Sequence, residues 1–224
     1  MEQLPGYIYI VFALTTLLTV LLLFKAAHYS RSAIIITLSW VAVQGVIGGS
    51  GFYTVTNAVP PRFGLSLLPP VLFIALLLLT KRGRLAIGSF DTKTLTLLHI
   101  VRIPVELTLY WLFLHKAVPG LITFEGRNFD ILCGLTAPFI YYFGYIKNVL
   151  GRKLLIAWNL VCLLLLVNVV VTAVLSAPLP FQQFAFDQPN IAILYFPFVW
   201  LPCCIVPVVL FAHLVCLRRL IKQV

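Results

Sequence analysis

Four side chains with chemical potential lie in the apolar block between Thr94 and His115: His99, Arg102, Glu106 and Tyr110. Their offsets of three, four and four residues place them on one face of a helix. Counted from Thr94 at ~1.5 Å per residue, His99 lies about 8 Å along that helix, Arg102 about 12 Å and Glu106 about 18 Å. Groups of these types can hold a proton, clamp an anionic or cationic solute, or neutralise one another. The Arg102–Glu106 spacing of four suits an internal ion pair. An arginine at mid-bilayer costs at least ~2.5–3.5 kcal/mol even on the lenient insertion scale, so this face must turn away from lipid.

Other blocks bring polar groups to similar depth. Gln44 and Asn168 fall roughly 18–21 Å from the basic ends of their own segments, which allows one cluster of Arg102, Glu106, Gln44, Asn168 and Tyr110. Nearer the basic end, His99, Asn159 and His213 form a second layer, each about 8 Å in. Two histidines on different helices can ligate a haem iron, and nothing else in the sequence supports a haem. No cofactor is expected. Two connecting segments mix Phe with charge: 117–130 carries Phe124, Glu125, Arg127, Phe129 and Asp130, and 176–190 carries Phe181, Phe184, Phe186 and Asp187. Glu125, Asp130 and Asp187 could do acid–base work or meet a cation. The phenyl rings are too costly to leave in water and are expected to fold back as a lid over the bundle or to rest in the membrane interface. No Ser-His-Asp order, His-Glu-x-x-His, Gly-rich phosphate loop or Cys-x-x-Cys accompanies them.

The elements that must position these groups follow from composition. The chain has 224 residues, 62% hydrophobic and 10% charged. A soluble domain carries about 25% charged residues, so an ordinary globular protein is excluded. The net charge of +10 does not indicate nucleic acid, because the cations are spread between apolar blocks. Lys25 and Arg31; Lys81, Arg82, Arg84 and Lys93; Lys147, Arg152 and Lys153; and Arg218, Arg219 and Lys222 account for twelve of the 16. The alternate connections hold Arg62, Lys116 and Arg127. That alternation is the positive-inside pattern. All five cysteines fall within apolar blocks, where Cys packs as a small hydrophobe.

The expected fold is all-α: a single polytopic domain over residues 1–224, a bundle of seven transmembrane helices at about 6–26, 32–52, 64–80, 94–115, 130–149, 154–176 and 191–217. Each approaches the ~20 residues that cross a ~30 Å hydrocarbon core. Pro197, Pro202 and Pro207 should kink the last. The start of the chain carries no basic residue before its first apolar block, so that block reads as an anchor rather than a cleaved signal. An odd number of spans and the basic clusters agree on an outer N-terminus and a cytoplasmic C-terminus.

Three runs, Arg102-Ile-Pro-Val-Glu106, Phe124-Glu-Gly-Arg-Asn-Phe-Asp130 and Phe186-Asp-Gln-Pro-Asn190, resemble those of a group of uncharacterised bacterial seven-helix membrane proteins. The resemblance implies an inner-membrane location and no particular activity. Microbial rhodopsins need a Schiff-base lysine in the last span, and 191–217 contains no Lys; SWEET-type transporters carry Pro-Gln turns, and no such pair occurs. The leading expectation is a binding or transport protein with an intramembrane polar pocket open to the outer side, taking a small solute, ion or lipid head group. A membrane enzyme acting on a lipid-borne substrate is the alternative, and a haem electron carrier the minor one. Lipids are the expected partners, and nucleic acid is not. A reporter fused after Val224 should be active as a cytoplasmic fusion. Alkaline phosphatase activity at that position would overturn the seven-span topology.

Overall fold

The computed structural model describes residues 4–222, and among them no strand occurs. Eight helices follow: α1 (Gly6–Ala26), α2 (Arg31–Gly49), α3 (Gly64–Leu79), α4 (Lys81–Gly88), α5 (Thr92–Leu114), α6 (Ile131–Ile146), α7 (Arg152–Leu175) and α8 (Leu201–Lys222). Five of them, α1, α2, α5, α7 and α8, are long and apolar enough to cross a membrane alone. The chain is therefore built as a membrane protein. The segment expected at 64–80 is only 16 residues long before it bends by 93° into α4, and α6 is likewise a shorter apolar helix. At 1.5 Å per residue each reaches about 24 Å.

The last expected span, 191–217, is shifted. Residues 191–200 are apolar but irregular, with a single 3-10 turn at Ala192–Leu194, and the helix runs from Leu201 to Lys222. Pro197 removes a backbone donor within that segment, and Pro202 removes another in the first turn of the helix. The segment is still buried (Ile193, Leu194, Phe198 and Val199 are 4% exposed or less), so its apolar composition marks burial in protein rather than contact with lipid.

Burial sorts the helices into layers. The apolar window of α8 is 72% buried and that of α5 50%, against 17% for α2 and 22% for α7. The bundle is thus organised around α8 and α5, with α1 packed on α5 and α7 on α8. Exposed aliphatic rows such as Leu14, Leu17 and Leu21 on α1, or Leu164 and Val171 on α7, give the outer surface the apolar character that lipid requires and water would reject.

Prolines dictate the joints. Pro207 has no N–H for the carbonyl of Cys203, four residues back. The Trp40 indole donates to that carbonyl at 2.8 Å. Pro69 similarly frees the carbonyl of Leu65, which the Gln44 amide meets at 3.4 Å. In the opposite direction the Trp200 indole donates to Val41 O at 3.0 Å. Two reciprocal indole bonds therefore tie α2 to α8 and to the residue that precedes it. Close approach is possible because α2 has Gly48 at the contact, where a Cβ would stand 2.7 Å from Val199. Gly83 has the same role at the α3–α4 bend: a Cβ there would collide with the Leu77 backbone.

At the basic end, Asp91 caps α5, accepting from the Lys93 and Thr94 amides at 3.2 and 3.1 Å and from the Thr94 hydroxyl at 2.6 Å. Burial pushes its carboxyl up, and the bonds from Thr94 and Lys93 outweigh that, holding it below the usual carboxylate range. Its own amide donates to Ala26 O, which fixes the start of α5 to the end of α1.

If the Trp40 indole replaces the donor that Pro207 lacks, the two changes must be coupled. Trp40→Phe should destabilise by about 1 kcal/mol, within the range for interhelical hydrogen bonds in membranes. In a Pro207→Ala background, where the helix satisfies Cys203 itself, the same change should cost measurably less. Thermal melts of the four proteins form the cycle, and strict additivity would refute the coupling.

A buried polar relay between α5, α7, α8 and the 117–130 loop

Arg102 and Glu106 are buried, at 2% and 1% exposure. Arg102 opens the α-helical second part of α5, after a 3-10 turn at His99–Val101. Gly134 on α6 lets that helix close on it: a Cβ there would lie 3.3 Å from Arg102 Cβ and 2.8 Å from Ile103 Cγ1. The expected internal pair does not form. Arg102 Nη1 donates to Asp130 Oδ1 at 2.7 Å, an ion pair, and to Cys162 O at 3.4 Å, while Nη2 lies 2.9 Å from His213 Nε2.

The donor inventory fixes the histidine. A guanidinium only donates, so His213 Nε2 must accept and Nδ1 carries the proton. That proton points at Asn159 Oδ1, 2.9 Å away, and Asn159 Nδ2 donates to Leu155 O. His99 stacks on the His213 ring, centroids 3.8 Å apart and planes at 19°, with Trp158 edge-on to His99 at 5.6 Å. Two rings in face-to-face contact leave no room for an iron between their nitrogens, and His213 has committed both of its own. The haem reading does not fit this geometry. Among the described residues no group of three or more His, Cys, Asp or Glu could hold a metal ion.

Glu106 instead meets the loop. Asn128 Nδ2 donates to both carboxylate oxygens at 2.7 Å and to Ile122 O at 2.9 Å, and Asn128 Oδ1 accepts from the Asp130 amide at 2.9 Å. This local turn spaces Asn128 and Asp130 so that one serves Glu106 and the other Arg102. Asn159, His213, Arg102, Asp130, Asn128 and Glu106 therefore form one connected chain of polar groups inside the protein. Only the amide of Asp130 joins its two halves. Both His99 nitrogens and Arg102 Nε are buried with no hydrogen-bond partner.

The 117–130 segment enters the bundle as a plug rather than covering it. Val118, Ile122, Thr123, Asn128 and Asp130 are buried, at 5% exposure or less. Non-helical backbone at such depth is tolerated only where protein satisfies it. Gln188 donates to Phe113 O and Val118 O, the Ile191 and Ala192 amides donate to Ala117 O, and Asn190 Nδ2 donates to Ala173 O. Gly126 permits the innermost fold, since a Cβ there would strike the Gly120 backbone.

The other expected site residues lie elsewhere. Gln44 is buried but accepts from Tyr53 O–H at 2.6 Å and serves the Pro69 joint, apart from Arg102. Asn168 is exposed and donates to Arg127 O at 3.2 Å, holding the loop from outside. Tyr110 is half-buried against Phe124, ring centroids 4.9 Å apart. Glu125, Arg127 and Asp187 are exposed and do not join Asp130, which turns inward. Phe129, Phe184 and Phe186 are 53%, 41% and 69% exposed, so of the lid only Phe124 is packed as expected.

Residues 60–221 match the family described as a domain of unknown function (DUF8737). The chain belongs to that family, and all six relay residues lie inside the matched region. No curated protein and no solved structure matches the chain.

Arg102 and Asp130 should behave as a buried pair. Arg102→Gln or Asp130→Asn alone leaves an uncompensated charge and should destabilise by about 3–5 kcal/mol. The double variant should be closer to the parent than either single one in thermal melts in detergent. Three near-parental melting curves would show instead that water reaches the pair.

Proposed function

We propose that this is an integral inner-membrane binding or transport protein whose working element is the Arg102–Glu106 relay, and whose ligand is a proton or small cation. The observation that carries this is the charge count at full burial. One guanidinium, Arg102, faces two carboxylates, Asp130 and Glu106, and it pairs with Asp130. Glu106 is left with a neutral amide as its partner. In a low-dielectric interior an unbalanced carboxylate is expensive, so the site favours taking up a positive charge there. A guanidinium keeps its protons, so Arg102 fixes Asp130 and His213 in place while Glu106 is the group that takes up the charge.

The membrane placement rests on the same physics. Seven crossings count α3–α4 and α6 as spans alongside the five long helices. The basic clusters then face the cytoplasm with the C-terminus, and the plug formed by 117–130 faces outward above Glu106. The resemblance to bacterial seven-helix proteins supports the inner membrane. An uptake route from the outer side must pass the 117–130 plug, so the ligand is small.

Proteoliposomes loaded with a pH-sensitive dye and driven by a potassium diffusion potential test the proposal directly. The parent should acidify or alkalinise the lumen faster than protein-free vesicles, and Glu106→Gln should abolish the excess while melting within a few degrees of the parent. A parent rate equal to that of protein-free vesicles, with sodium and potassium fluxes also at background, would overturn the reading.

A further inference from the structure

A second site lies away from the relay, in a cavity of about 780 Å³ between α2, α3, α4 and α8. Its volume is in the range of small-molecule sites. Its walls are hydrocarbon: Ile36, Val43, Phe73, Leu77, Val208 and Phe211. Several of the polar groups along it are already used, and the Ser32 and Ser39 hydroxyls are the others. Thr37 Oγ1 donates to Ala33 O, the Trp40 indole to Cys203 O and Ser89 Oγ to Ala86 O. Two serine hydroxyls on α2 are few for a polar solute or a peptide against walls of hydrocarbon, whereas an acyl chain needs none.

Length and charge narrow the occupant. On α2 the wall runs from Ser32 to Val43, about 16 Å at 1.5 Å per residue, which is half of a ~30 Å hydrocarbon core and so one leaflet. The cavity begins at the basic end of the bundle. Arg31 stands exposed between the lining residues Ser30 and Ser32, and exposed Lys81 and Arg82 begin α4, whose Ala86 and Ile87 line the wall. Arg219 donates to the carbonyl of lining Phe90 at 3.0 Å. The nearby carboxylate, Asp91, is committed to the α5 cap.

We infer that this groove binds one anionic phospholipid of the basic-side leaflet, with an acyl chain between α2, α3 and α8 and its phosphate held by Arg31. The site is independent of the relay: no relay residue lines it. Ala33 and Ala86 mark where a larger side chain would occupy the lipid's place.

Native mass spectrometry of the detergent-solubilised protein, incubated with equal amounts of phosphatidylglycerol and phosphatidylcholine, tests this. The parent should retain one phosphatidylglycerol with about fivefold preference, the effect expected of a single well-placed cation near an anionic head group. Arg31→Gln should reduce the preference towards one. Ala33→Phe should lose the bound lipid, with Ala86→Phe as a second filling variant should the first fail to fold. Leu164→Phe, on the exposed face of α7, should change nothing. Equal retention of both lipids, a preference that survives both filling variants, or a dimer that excludes lipid from the groove would each overturn the inference.

Discussion

The constraint on which this structure depends is that a backbone polar group in hydrocarbon has no water to turn to. Helices satisfy their own carbonyls except where a proline removes the donor. At Pro207 and Pro69 the repair comes from another helix: the Trp40 indole for Cys203 and the Gln44 amide for Leu65. Each repair is directional, so each also fixes which helix neighbours which. The 117–130 and 176–190 connections obey the same rule with Gln188 and Asn190, whose amides meet the carbonyls of Phe113, Val118 and Ala173. Apolar packing alone could not specify these neighbours, because lipid offers the same contacts at no loss.

Arg102 is where the constraint is most severe, and it explains why a loop is drawn into the protein. A guanidinium needs acceptors in a plane around it, and the apolar faces of α7 and α8 supply only Cys162 O and His213 Nε2. The remaining acceptor is a carboxylate carried in on the loop at Asp130. Glu106, one turn further along α5, needs a donor, and Asn128 brings it. The two-residue spacing in the loop thus matches the four-residue spacing in the helix, opposite in kind at each position: acid to base and amide to acid. Breaking the turn between Asn128 and Asp130 would misplace both.

Much of this was legible in the amino-acid pattern, and the failures have common physical causes. Long apolar blocks located the helices because burial in lipid demands hydrophobicity along the whole length of a span. The stripe of Arg102 and Glu106 stood out because ionisable groups are rare at that depth. Partners were less legible. Periodicity describes one helix at a time, and the groups that meet this stripe come from α8, α7 and a loop. Asn128 offered no signal beyond its place in a polar run. Composition could not choose between a lid and rest in the interface for the loop phenyl rings, and Phe129, Phe184 and Phe186 are exposed. Residues 191–200 are apolar for burial against protein, a distinction hydropathy does not make. Asn168 sits at the right depth, but α7 is peripheral and turns that residue outward.

The helix that closes the relay also walls the groove. On α8, residues 204, 208 and 211 line the cavity, following the i, i+4, i+7 spacing of one face. His213 follows Phe211 by two residues, about 200° around the helix, which places it on the opposite side against Arg102. The helix opens with a π-helical turn, Leu201–Ile205, and has a proline at 202 and another at 207. Such a segment has fewer internal bonds to hold its rotation than a regular helix. Its setting is determined instead by what touches it: Trp40 at Cys203 O on one side and Arg102 at His213 on the other. One helix therefore turns opposite faces to the groove and to Arg102, and the two share no residue.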